Sequence, residues 1–227
     1  MAVTHRVKEV IVLHNTPITF QTTDGQTITV RRMLPADVNQ LVHIYRHLSE
    51  ESLYQRFREP VSNLPPMRIL EEARALAEAG YSQGKGFLAF TDLPGQPGTP
   101  IAGARYIRVG EDAAETAITI RDDFQKKGIG TQLLNILIAE ARKDGIRTMI
   151  ANVSANNRAV IKLLSRYPFP QRREHYGPEI SIEFDISQEP VNQPDELVRK
   201  AMALSLRRQI PPAHSAKTAG FAPRGRK

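Results

Sequence analysis

The stretch on which the fold turns reads Glu115-Thr-Ala-Ile-Thr-Ile-Arg-Asp-Asp-Phe-Gln-Lys-Lys-Gly-Ile-Gly-Thr131. Its opening, Glu115 to Ile120, is rich in β-branched residues and reads as a strand. Gln125, Gly128 and Gly130 mark a turn. Beyond it Leu133, Leu134, Leu137, Ile138 and Ala141 fall on one helical face, predicting a helix from Gly128 to Asp144 with Gly145 at its end. A glycine turn that opens straight into a long helix lets the backbone approach a ligand closely. The free N–H groups of the first turn and the helix dipole then suit a pyrophosphate, with Lys126 and Lys127 adding positive charge. The Lys-Ser/Thr ending of a nucleoside-triphosphate loop is missing, and Gly128 and Gly130 alone do not meet the dinucleotide G-x-G-x-x-G spacing. Taken alone, two glycines also fit the start of an ordinary helix.

Outward from this stretch, the upstream text reads Thr27–Met33 as a strand and Val38, Leu41, Val42, Tyr45 and Leu48 as one amphipathic helix. Helices are further predicted over Glu50–Phe57 and from Pro66 to Ala79, with Gly80 as the stop. Strands follow at Phe87–Thr91, Ile101–Val109 and Glu115–Ile120, the first two separated by a turn rich in Pro94, Gly95, Pro97 and Gly98. Downstream come a strand at Arg147–Val153, a helix at Asn157–Arg166 and a last strand at Ile180–Ile186. Glu9 to Val30 alternates in β fashion around a turn at Asp24-Gly25. The order predicts an α/β fold, a mixed and mostly antiparallel sheet flanked by helices, rather than strict βαβ alternation. One domain is expected over 27–188. A strand or hairpin extension (1–26) precedes it, and a basic, Pro-containing tail (189–227), partly helical and then disordered, follows.

Composition narrows the function. With no cysteine among 227 residues, disulfide scaffolds, thiolate metal sites and thiol nucleophiles are excluded. No apolar run reaches the roughly 18 residues of a membrane span, and the charged start Met1-Ala-Val-Thr-His-Arg does not read as a signal peptide, so a cytoplasmic protein is expected. The net charge of +7 is uneven: 23 basic residues face 24 acidic ones up to Glu196, and 8 basic residues with no acid follow. The excess sits in an appendage, not on a domain face. It argues against nucleic acid and for a solubilising tail, or an arm for an acidic partner.

In this context Gln125-Lys-Lys-Gly-Ile-Gly130 resembles the coenzyme A pyrophosphate motif of the GNAT superfamily of N-acyltransferases. Asn157-Arg-Ala-Val-Ile-Lys-Leu-Leu-Ser-Arg-Tyr-Pro-Phe169 resembles the same superfamily's next motif, a helix opened by Asn along the pantetheine arm. Leu48-Ser-Glu-Glu-Ser-Leu-Tyr-Gln-Arg-Phe57 and Ala114-Glu-Thr-Ala-Ile118 look like the bacterial protein-lysine acetyltransferases fused to acyl-CoA synthetase-like or cyclic-nucleotide-binding domains. The likeness covers about residues 27–170, and the length leaves room for neither partner domain, so a free-standing enzyme is expected.

The resemblance implies a GNAT domain using acetyl-CoA as co-substrate, without a metal. The acceptor would be a primary amine, a protein lysine first and a small-molecule amine second. It assigns the backbone of Ile118, Thr119 and Ile120 to the acyl carbonyl and pantetheine amides. Gln125, Lys126, Lys127, Gly128, Ile129, Gly130 and Thr131 would hold the pyrophosphate, Asn157 the cofactor arm, and Glu115 would be the general base. Two positions depart from the family pattern. Leu164 stands where many members carry a Tyr that protonates the departing thiolate, and Pro168-Phe169 replaces Gly-Phe. These departures motivate another reading, a catalytically silent acyl-CoA-binding module. His43 and His47 have the i, i+4 spacing of a metal pair but lack the HExxH glutamate, so a surface or packing role is expected. Asp122-Asp123 is expected to cap the approach to the following helix.

Overall fold

The structure, a computed structural model, describes residues 16–60, 62 and 64–188. Among these, eight strands form one sheet: β1 (Ile18–Gln21), β2 (Thr27–Arg32), β3 (Gly84–Leu93), β4 (Gln96–Arg108), β5 (Ala113–Ile120), β6 (Thr148–Ser154), β7 (Gln171–Tyr176) and β8 (Glu179–Asp185). Their spatial order is β1-β2-β3-β4-β5-β6-β8-β7. Five α-helices flank it: α1 (Val38–Arg46), α2 (Glu50–Phe57), α3 (Pro66–Ser82), α4 (Ile129–Lys143) and α5 (Arg158–Ser165). Neighbouring strands are antiparallel except β5 and β6, which pair in parallel. The mixed, mostly antiparallel sheet expected from the element order is the one observed.

Each face of the sheet carries its own core. On one, Leu133, Leu134, Leu137 and Ala141 of α4 pack with Ala102, Ala104, Tyr106, Met149 and Ile182. On the other, Leu41, Ile44 and Tyr45 of α1 and Ala73, Leu76 and Ala77 of α3 pack with Met33 and Leu88. Alternation sorts β4 between them: Tyr106 reaches α4, donating its hydroxyl to Asp144 at 2.5 Å, while Gly103 lies under Leu41. No helix among the described residues is long and apolar enough to cross a membrane.

Several boundaries differ from the sequence reading, each for a physical reason. Helix α3 runs through Gly80 to Ser82. Gly80 is a contact point and not a stop, for a β-carbon there would come within 3.4 Å of the Gly86 backbone and 3.6 Å of the Met33 sulfur. Strand β7, Gln171-Arg-Arg-Glu-His-Tyr176, has no signature in the sequence because it is an edge strand without apolar alternation, paired among the described residues only to β8. β1 lies within the stretch expected as an N-terminal extension, and its pairing from Ile18–Val30 to Gln21–Thr27 makes it the sheet's other edge. Residues 1–15 and the expected tail (189–227) lie outside the described residues.

Candidate active site

β5 and β6 pair at only three positions, Ala113–Thr148, Ala114–Met149 and Glu115–Ile150. Beyond Glu115, β5 stays with β4 as far as Ile120–Ala102, while β6 follows β8 as far as Ser154–Glu179. The two strands therefore part at Glu115. Along Thr116–Ile120 the side of β5 turned from β4 carries backbone groups with no strand partner among the described residues, a ready hydrogen-bonding edge for an extended ligand. Ile118, Thr119 and Ile120, expected to hold the acyl carbonyl and pantetheine, lie on this stretch.

The turn at the head of α4 follows the strand directly. A 3-10 turn at Asp122–Phe124 leads to Lys126, left-handed at φ 61°, and Gly128, left-handed at φ 86°. Gly128 is the residue before the first helical position, and no side chain caps the helix. The first N–H groups of α4 thus remain unclaimed by a capping side chain, with the positive end of the dipole behind them. Ile129 points into the core, so it can serve a ligand only through its backbone. Gly130 sits between Ile120 of β5 and Leu163 of α5, which brings strand, turn and second helix to one place. The Thr131 carbonyl accepts from the Tyr167 hydroxyl at 3.2 Å.

Two expected pyrophosphate ligands have other engagements. The Gln125 amide donates to the Ile120 carbonyl at 3.2 Å, to Asp122 at 3.2 Å and to Ser52 at 3.4 Å, so its side chain braces the loop. The Lys127 ammonium is 2.9 Å from Asp24 and 5.1 Å from the Phe124 ring centroid. Hydrogen bonding from Thr22, then from Lys127, holds the Asp24 carboxyl below its ordinary value. Asn157 caps α5, its Oδ1 accepting from the Val160 N–H at 3.1 Å.

Glu115 lies on the α1 and α3 face of the sheet, in register with Ile107 and two residues from Ala117, which faces Arg105. Ala117 and Thr119 line a narrow cleft with Tyr45 and Arg105. Behind it Arg56 of α2 pairs with Glu72 of α3 at 2.5 Å and donates to the Tyr45 hydroxyl at 3.3 Å. Burial, then the Arg56 charge, pushes the Arg105 guanidinium below its ordinary value, and Glu115 pulls it the other way. The cleft therefore sets two carboxylates, Glu115 and Glu72, against two guanidiniums, with Glu72 already paired to Arg56.

The acetyltransferase (GNAT) family profile matches residues 44–167, more than half of the chain. The chain belongs to the GNAT family. Acetyltransferase Pat from Mycolicibacterium smegmatis is 35% identical over 164 residues, covering 71% of this chain and 47% of that protein. The chain thus spans about half the length of that relative. The GNAT domain of Streptomyces lividans PAT superposes with a TM-score of 0.63 at 29% identity, over 74% of this chain and 96% of that one. YncA from Salmonella typhimurium, solved with its cofactor acetyl-CoA, shares the fold at 20% identity and a TM-score of 0.50, over 73% of this chain and 98% of that one. The matched family is one of acetyltransferases, and acetyl-CoA is the cofactor bound by YncA. The uncapped turn at α4 and the free edge of β5 fit that molecule's pyrophosphate and amides.

The two departures from the GNAT pattern now have structural readings. Leu164 is buried, as is Tyr167, whose hydroxyl donates to Asn135 at 2.5 Å. Burial pushes the Tyr167 phenol up, and the ring lies in the core. Without glycine, α5 ends on tight bonds from Arg166 N to Leu163 O and from Tyr167 N to Leu164 O, and Phe169 stacks between Tyr167 and Phe184. His43 and His47 stack at 4.3 Å, and Arg121 lies 3.2 Å from His43 Nε2. No group of three or more His, Cys, Asp or Glu fit to hold a metal occurs among the described residues. Asp122 does cap a helix, but it is α2: its carboxylate accepts from Ser49 N at 2.8 Å, Ser49 Oγ at 3.0 Å and Ser52 Oγ at 2.8 Å. Sequence reading passed over Arg105; the available signal was a cation on the inward face of a strand, between Gly103 and Ile107.

Proposed function

We propose that this GNAT enzyme transfers the acetyl group of acetyl-CoA directly to a protein lysine, with Glu115 as general base. The observation that carries the reading is the position of Glu115, at the last β5–β6 pair and on the face of the cleft. The likeness to Pat supports a lysine acceptor. Acetyl-CoA supplies the acyl thioester. An acceptor lysine has an ordinary pKa of about 10.4, so baring its amine at neutral pH costs about 4.6 kcal/mol. Glu115 receives that proton, directly or through one water. Arg105, whose buried Nε has no hydrogen-bond partner among the described residues, disfavours a further cation in the cleft and so favours the neutral amine. Free N–H groups of β5 stabilise charge developing on the acyl oxygen. A thiol leaves with a pKa of about 8.5, so the loss of the tyrosine at Leu164 is tolerable.

A small amine carrying a carboxylate is the second reading. Arg105 favours it, since its buried Nε has no hydrogen-bond partner among the described residues. Initial rates on lysine peptides and on free amino acids separate the two. Glu115→Gln lowers kcat/KM by about 100-fold or more at neutral pH, and the loss shrinks as rising pH frees the amine without help. A variant with the wild-type rate and pH profile removes Glu115 from this role.

A further inference from the structure

The β1–β2 turn supplies something a cofactor site would not be expected to hold, a carboxylate beside its phosphate loop. Thr23 N–H donates to the Lys127 carbonyl at 3.2 Å, and the Thr23 methyl lies against Gly128. This docks the turn onto the loop. Thr22 fixes the turn, accepting from Gln26 N–H at 2.9 Å and donating to Asp24. Asp24 is thereby aimed at the Lys127 ammonium, 2.9 Å away, on an arm that Phe124 supports from below. Lys127 is thus the one of two adjacent loop lysines whose charge is already matched, whereas Lys126 is exposed and appears in no ion pair among the described residues.

We propose that Asp24 is a positioning residue that competes with the cofactor's pyrophosphate for Lys127 and thereby limits the affinity of the site. The proposal rests on the assignment of the Gln125–Thr131 loop to the pyrophosphate. When the anion arrives, Lys127 must exchange one anionic partner for another, and the Asp24 charge left behind repels the newcomer. Acetyl-CoA and CoA carry the same pyrophosphate, so Asp24 weakens both alike and its benefit is release of the product. Among the described residues, no other residue of the loop forms an ion pair with a carboxylate from outside it.

The test is calorimetric titration of the full chain with acetyl-CoA and with CoA. It compares wild type, Asp24→Asn, Asp24→Glu, Lys126→Gln, Lys127→Gln and the Asp24→Asn/Lys127→Gln double variant at low and moderate salt. Thermal unfolding of each variant checks that it is folded. Asp24→Asn tightens both ligands about threefold at low salt, less when salt screens the charges. Asp24→Glu, which keeps the charge, binds like wild type, and Lys127→Gln weakens both ligands. In the Lys127→Gln background the gain from Asp24→Asn largely disappears. In turnover, KM for acetyl-CoA and the inhibition constant of CoA fall together while kcat does not rise. Looser or unchanged binding by Asp24→Asn overturns the proposal, as does a gain that survives undiminished without Lys127. Wild-type binding that Lys127→Gln and Lys126→Gln both leave untouched overturns the loop assignment itself, and this competition with it.

Discussion

Asp122 was legible as a helix-capping residue, but the helix it caps lies 73 positions upstream. A cap is a local pattern when the capping side chain sits in its own helix. Here Ser49 provides that local cap, its hydroxyl accepting from Ser52 N at 3.3 Å, and Asp122 is a long-range second layer over it. Asp122→Ala lowers stability by about 1 kcal/mol, the usual value of a lost cap. Because α2 carries Arg56 to the cleft wall and Gln125 braces the phosphate loop on the same carboxylate, the substitution raises KM for the acceptor and for acetyl-CoA. Steady-state kinetics with each substrate varied in turn, beside urea unfolding, reads both. The candidate base, the turn glycines and Asn157 were legible because each sits in a short motif. The guanidiniums of Arg56 and Arg105 were not, since what gives them meaning is a strand and a helix meeting Glu115 from different parts of the chain.

Helices were the most readable elements, because an apolar face recurs within each; α4, α5 and α2 stand within a residue or two of their expected bounds. Strands at the sheet margin were less so, since β7 has no buried face to write into its sequence. Helix α1 also carries a pH response. Burial first, then the nearby charges of His47 and Arg121, holds the His43 imidazole below its ordinary value of about 6.5. A guanidinium only donates, so His43 Nε2 must accept, which requires the neutral ring. The unfolded chain takes up the proton first. Stability is therefore full above about pH 6.5 and declines as pH falls below it. His43→Gln flattens this part of the profile, measured by urea midpoints across the range; an unchanged slope assigns the acid sensitivity to another group.

At the scale of the whole molecule, the hydrogen-bonded ladder of the sheet narrows to a short seam between β5 and β6. β1 to β5, with α1 and α3, lie on one side, and β6 to β8 with α5 lie on the other; their strands share three parallel pairs, while α4 packs against both. Helix α2 braces the gap, Gln55 donating to Asn156 at 2.7 Å and Arg58 pairing with Glu179 at 3.2 Å. Local opening of a protein favours such places, where few backbone hydrogen bonds must break together. Backbone amides of β6 and β8 accordingly exchange with deuterium faster than those of β3 and β4, as peptide-level mass spectrometry would record. A cofactor seated on β5, α4 and α5 touches both sides. Its arrival slows exchange across β6 and β8, strands outside its proposed footprint, so the molecule that brings the acetyl group also acts as the clasp that joins the two halves.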